Sequence, residues 1–111
     1  PEFHRAEARR YPAIADIATH LGGRMEVRPL RIPLHCADGF ADAFYGRPEL
    51  MLDGEARRAQ SAWGFVPADA EARFERTLAG DLRSGAWDAR HGHLRTQPEF
   101  EGSLRILIST P

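Results

Sequence analysis

Lysine and asparagine are absent from this chain of 111 residues, and all fifteen basic side chains are arginine. Together with abundant alanine, that bias marks a GC-rich coding genome and not an arginine-specific task. The arginines are spread from Arg5 to Arg105 and the formal net charge is −1, which argues against the clustered positive face that a nucleic-acid partner requires. No run reaches the about 18 apolar residues of a membrane span, and no basic-then-apolar leader opens the chain, so neither a membrane partner nor secretion is expected. The single cysteine, Cys36, cannot form an internal disulfide, and a cytoplasmic location is the expectation. Glycine is plentiful but wrongly spaced. None of the ten falls in a G-x-G pattern, and the one adjacent pair, Gly22-Gly23, follows a predicted helix. The turn by which backbone closely approaches a dinucleotide or related cofactor is therefore missing.

What is present is the composition of one ordinary globular segment, 42% hydrophobic and 28% charged. The opening Pro1-Glu2-Phe3 resembles the remnant of a cleaved fusion vector, so residues 4–111 carry the fold argument. Ile14, Ile17, Ala18 and Leu21 recur at three- and four-residue spacing, with Pro12 and Gly22 at the limits, and predict a helix over Tyr11 to Leu21. Arg24 to Ile32 reads as a strand in which Pro29 removes a donor and the apolar parity shifts, the signature of an edge or a bulge. Asp38 is placed to cap a short helix reaching Tyr45, and Gly46 and Pro48 stop and restart it. Gly54 to Trp63 reads as helical, and a longer helix over Asp69 to Arg83 follows from Phe74, Leu78 and Leu82, with Gly85 as a left-handed cap. Ser103 to Thr110 is a strand with Leu104, Ile106 and Ile108 on one face and Leu107 on the other. It is apolar enough to want cover on both sides. The fold class is α+β, about four helices with two antiparallel strands.

Candidate chemistry gathers after the first strand, where side chains of open α/β sheets often meet substrate. His35 is a hydrogen-bond partner or general base, Asp38 orients it or the substrate, and Arg47 can clamp a carboxylate. A structural role competes at each position: Asp38 as a helix cap, Cys36 as a small apolar filler, Arg47 with Glu49 as an ion pair beside Pro48, and Asp53 as a further cap. A Cys36–His35 nucleophile lacks a visible orienting group. His35, Cys36, His91 and His93 are metal-ligand types at poor spacing, with one close pair, so no metal is expected. Trp63 and Trp87 read as packing anchors.

The order of three stretches carries more information than any single residue. They are Pro33-Leu34-His35-Cys36-Ala37-Asp38-Gly39-Phe40, then Arg47-Pro48-Glu49-Leu50-Met51-Leu52-Asp53, then Asp81-Leu82-Arg83-Ser84-Gly85-Ala86-Trp87-Asp88. From about His4 to Thr110 the chain resembles the C-terminal end of a class I S-adenosylmethionine-dependent methyltransferase of an actinobacterial type. Two departures stand out. Leu34-His35 replaces a His-Asp pair, and Gly46 replaces a second arginine before Arg47. The resemblance implies the C-terminal part of a Rossmann-like fold without its cofactor-binding half, so S-adenosylmethionine is the cofactor of a parent enzyme and none is expected for this chain alone. It also implies that catalytic residues lie mostly elsewhere, which leaves His35, Asp38 and Arg47, by their place after the strand, as the substrate-binding candidates.

In that fold the last two strands close a mostly parallel sheet antiparallel, with the final strand inserted beside the fifth. Severed from its neighbours, such an edge should pair with itself. The partner expected is therefore the rest of the parent methyltransferase or, in its absence, a second copy joined through strand 103–110. The alternatives are a free-standing α+β interaction module that dimerises through its last strand, and a small metal-binding or hydrolytic domain using His35 and Cys36.

Overall fold

The computed structural model describes residues 1–111. Its elements run α1 (Glu2–Arg10), α2 (Ile14–Leu21), β1 (Arg24–Pro33), α3 (Gly54–Arg58), α4 (Ala68–Ser84), α5 (Ala86–His91) and β2 (Glu99–Thr110), with 3-10 turns at Ala41–Phe44, Pro48–Leu52, Ser61–Phe65 and Gly92–Thr96. The architecture is α+β, and β1 and β2 form one two-stranded antiparallel sheet. No helix is long and apolar enough to cross a membrane.

The strands pair from Arg24 opposite Thr110 to Pro33 opposite Glu99, and the register breaks between Pro29 and Arg31. The bulge falls where proline withholds a ladder hydrogen bond, as the sequence anticipates. Gly23 starts the ribbon with φ +70, and a β-carbon there would collide with the Thr110 carbonyl oxygen, so glycine alone fits the close approach of the two strand ends. β2 begins four residues earlier than its apolar alternation suggests, because Phe100 stacks on Tyr45 at 4.9 Å and anchors the charged Glu99–Glu101 stretch.

Packing is concentrated at one end. Ile32 (2% exposed), Ala43 and Tyr45 form the core, with Leu34, Leu94, Phe100 and Leu104 against them. Gly46 sits in this wall, where a β-carbon would meet Leu34 Cδ1 and the Leu94 carbonyl oxygen at 2.5 Å. A second cluster surrounds Trp63, whose ring lies 4.9 Å from both Phe3 and Phe74. Arg57 is 5% exposed and fastens this cluster: Nε donates to Glu71 at 2.9 Å, Nη2 to Glu75 at 3.0 Å and Nη1 to the Met51 carbonyl at 2.6 Å. Only 11 of the 111 residues are buried.

The molecule is extended, 53 × 32 × 22 Å with a radius of gyration of 16.4 Å. A compact chain of this length has a radius near 13 Å. Its accessible surface of 7597 Å² likewise exceeds by about 1,500 Å² that of a compact monomer of this mass.

Several local expectations change. The predicted helix over Tyr11–Leu21 is shortened to Ile14–Leu21, and Glu2–Arg10, which carries no apolar period to announce it, forms a helix of its own. Phe3, set aside with the first three residues, supplies one of the rings around Trp63. Asp38 caps no helix: its Oδ1 accepts from the Gly39 N–H at 2.7 Å, and the turn at Ala41–Phe44 has no side-chain cap. The helix predicted over Gly54–Trp63 ends at Arg58 and resumes as a 3-10 turn at Ser61. Gly85 has the expected left-handed φ of +79, and a further helix, α5, follows it directly. Asp53 does cap α3, accepting from the Glu55 N–H at 2.8 Å.

Candidate functional site

The segment that follows β1 carries His35, Asp38 and Arg47. A turn closes it first, the Cys36 N–H donating to the Pro33 carbonyl at 3.1 Å. His35 is exposed and Cys36 half-buried. Arg47 Nη2 donates to the Cys36 and Ala43 carbonyls, each at 3.1 Å, while its buried Nε has no partner. The guanidinium lies 5.8 Å from the Phe44 ring centre. Arg47 therefore holds the 36–47 loop in shape, and the Arg47–Glu49 pair suggested by proximity in sequence does not form.

Glu49 is instead claimed by Arg95, Nη2 to Oε1 at 2.6 Å, and the same guanidinium holds Asp88 at 2.5 Å through Nε. Arg95 also lies 4.9 Å from the Trp87 ring centre. These contacts tie the Pro48–Leu52 turn to α5 and the Gly92–Thr96 turn. Hydrogen bonds from Arg95 hold both carboxyls below their ordinary values. Trp87 thus anchors structure, as read from sequence, though on a helix. No three or more His, Cys, Asp or Glu side chains are grouped to hold a metal ion.

Asp38 faces a cleft of about 730 Å³ bounded by α1, α2, the 38–42 segment and β2. Glu7, Tyr11, Phe40 and Asp42 share its wall with the apolar Ile14, Ile17, Leu104 and Leu107. Asp42 is fixed by Ser103, whose N–H and Oγ approach Oδ2 at 2.9 and 2.8 Å. Burial pushes the Glu7 carboxyl above its ordinary value, the Asp42 charge adds to that shift, and His4 and Arg10 oppose it. A smaller cleft of about 180 Å³ adjoins, sharing Glu7, Tyr11, Asp38 and Phe40 and reaching Gln60. Glu7, Asp42 and Gln60 were not legible as a group, since they come from three separate elements with no motif between them.

A cofactor cradle is a different matter. The three glycines with positive φ are Gly22, Gly23 and Gly85. Gly23 is filled against Thr110, and Gly85 joins two helices, so none forms a strand-turn-helix that could take S-adenosylmethionine. The residues of this chain do not fit that group.

No family model matches the chain, and no curated protein matches it. Among solved structures, the chain is similar to a candidate methyltransferase from an antibiotic biosynthesis pathway of Anabaena variabilis, with a TM-score of 0.87 and 26% identity. The match covers 98% of this chain and 46% of that one, so the chain spans less than half of that protein's length. What this chain carries is part of a methyltransferase-like fold.

Proposed function

We propose that this chain is the C-terminal, substrate-side portion of a class I S-adenosylmethionine-dependent methyltransferase, inactive in isolation. The observation that carries the reading is the pairing of nearly complete coverage of this chain with 46% coverage of the methyltransferase-like neighbour. The absence of a donor cradle supports the same division of labour. Chemistry in the parent is methyl transfer from a sulfonium to a substrate nucleophile, for which a protein chiefly supplies proximity and orientation. His35 and Asp38 take the substrate-facing role, and Arg47 contributes to it by shaping the loop they share.

The partner in this reading is the remaining sheet of the parent. β2 has a strand on one side and none on the other, and Val27, Leu30, Ile106 and Ile108 are 36 to 43% exposed along the ribbon. The excess surface of about 1,500 Å² exceeds the roughly 800 Å² that one partner contributes to a standard interface. Alone, the chain covers this surface with a second copy joined through strand 103–110.

Isothermal titration of S-adenosylmethionine, with light scattering on the same sample, tests both statements. The expected result is no saturable heat and a mass of two chains. One-site binding of S-adenosylmethionine would overturn the division of labour, and a monomer at micromolar concentration would overturn self-pairing.

A further inference from the structure

Strand β2 does not present one continuous free edge. Arg31 faces Glu101 and Pro29 faces Arg105, so Gly102, Ser103 and Leu104 stand together opposite Leu30. The polar backbone of this bulge is served from within the chain. Ser103 gives both its N–H and its Oγ to Asp42 Oδ2, at 2.9 and 2.8 Å. Arg105 Nη1 donates to the Gly102 and Leu104 carbonyls at 2.9 and 2.8 Å. Gly102 is what admits the carboxylate, since a β-carbon there would collide with Asp42 Oδ2. A strand arriving at the bulge finds the Ser103 donor taken and a charged side chain beside it, a combination by which sheet edges are closed to pairing.

Beyond the bulge the edge is open, and its phase is fixed. The Leu34 N–H donates to the Pro98 carbonyl at 2.9 Å, and from there bonded and non-bonded pairs alternate along the ladder. Pro29, opposite Arg105, has no N–H to exchange, which makes that pair a non-bonded one. Arg105 and, at alternate positions, Leu107 and Ser109 therefore turn their N–H and C=O groups away from β1. Along the same stretch Ile106 and Ile108 are 43 and 36% exposed.

We propose that β2 accepts a second copy of this chain in one register only, antiparallel about a two-fold axis at Leu107, with Asp42 as the stop that sets it. The inference rests on the self-pairing proposed above and narrows it to residues 104–110. With the axis at Leu107, Arg105 bonds Ser109 of the partner subunit, Leu107 bonds its own counterpart, and Ile106 covers Ile108 of the partner subunit. Every outward backbone group beyond the bulge is then used, and Ser103 is left to Asp42. An axis at Ile106 instead sets Ser109 against the occupied Ser103 of the partner subunit. An axis at Arg105 sets two like charges directly opposite each other, which is unfavourable across strands.

The test is oxidative cross-linking of the full chain in a Cys36→Ser background carrying one new cysteine, with light scattering on each reduced sample. A disulfide needs α-carbons within about 7 Å, which across a two-fold only the residue on the axis meets with itself. Leu107→Cys should join to itself about tenfold faster than Arg105→Cys, Ile106→Cys or Ser109→Cys. A mixture of Arg105→Cys and Ser109→Cys should give the mixed disulfide, a check that leaves Leu107 intact. Adding Asp42→Ala frees the Ser103 N–H and should spread cross-linking to Ile106→Cys, whereas Asp42→Asn, which keeps an oxygen for that donor, should hold it at Leu107→Cys. A dimer that cross-links fastest at another position, or whose preference for Leu107 survives Asp42→Ala, would overturn the register while self-pairing stands. A monomer by light scattering would overturn both.

Discussion

The two ends of the β1–β2 ribbon are built from similar residues and meet different fates. At the inner end Ile32 is 2% exposed, clasped by Ala43, Tyr45 and Phe100. At the outer end Val27 and Ile106 are each 43% exposed and Ile108 is 36% exposed. Pairing alone does not account for the difference, since both ends keep antiparallel partners. What differs is cover. The 34–47 loop folds over the inner end, while α2 makes few contacts along the outer one, so equal strand propensity produces a core in one place and bare apolar surface in the other.

That contrast can be broken most severely at Ile32. Ile32→Ala removes the most buried large side chain and should cost about 3 kcal/mol, read as a drop in the urea midpoint. Next comes Tyr45, whose hydroxyl donates to the Gln97 carbonyl at 2.5 Å. Tyr45→Phe leaves that carbonyl short of a donor and should cost about 1 kcal/mol, with the ring stack on Phe100 retained.

A smaller effect lies in the pins that hold the loop turns. Glu49 titrates below its ordinary 4.5, chiefly through the Arg95 hydrogen bond. A carboxyl with a depressed folded value gives stability that is whole above the unfolded value and is lost as pH falls through the folded one. Glu49→Gln should therefore cost about 0.5 kcal/mol at pH 7, Glu49 being half exposed. The gap between variant and parent should close as pH drops below 4.5. Stability of the two proteins measured at pH 7 and at pH 3 checks the sign.

The outer end should be almost silent by the same measure. Ile106→Thr with Ile108→Thr is expected to change monomer stability by under about 0.5 kcal/mol while abolishing the proposed self-paired species in light scattering. A loss as large as that at Ile32 would mean that the outer ribbon already has cover within the chain.

How much of this was written in the chain depended on how local the cause was. α4 was legible because Phe74, Leu78 and Leu82 repeat within one element and Gly85 ends it, and the break near Pro29 because proline's missing N–H acts where it stands. The apolar alternation of β2 was legible for the same reason. α1 and α5 were not, since Arg- and Glu-rich or turn-like stretches carry no apolar period, and Phe3 becomes significant only beside Trp63, sixty residues away. Asp38 had the residue type of a cap, but the backbone after it turns as 3-10 from Phe40 instead. Of the three residues singled out for substrate, the fold puts Asp38 on a cleft wall and ties Arg47 to backbone carbonyls. The grouping of Asp38 with Glu7 and Gln60 depends on tertiary packing that no spacing encodes.

Arg57 turns a bias of the coding alphabet into a mechanical commitment. A chain that never uses lysine would be expected to tolerate an exchange at most basic positions. At this one, three nitrogens of a single planar head point to three anchors, the Glu71 and Glu75 carboxylates on α4 and the Met51 carbonyl of the Pro48–Leu52 turn. An ammonium has one nitrogen to offer, at the tip of a flexible stem. The α3–α4 joint is thereby tied to the one basic side chain whose head can span all three anchors at once.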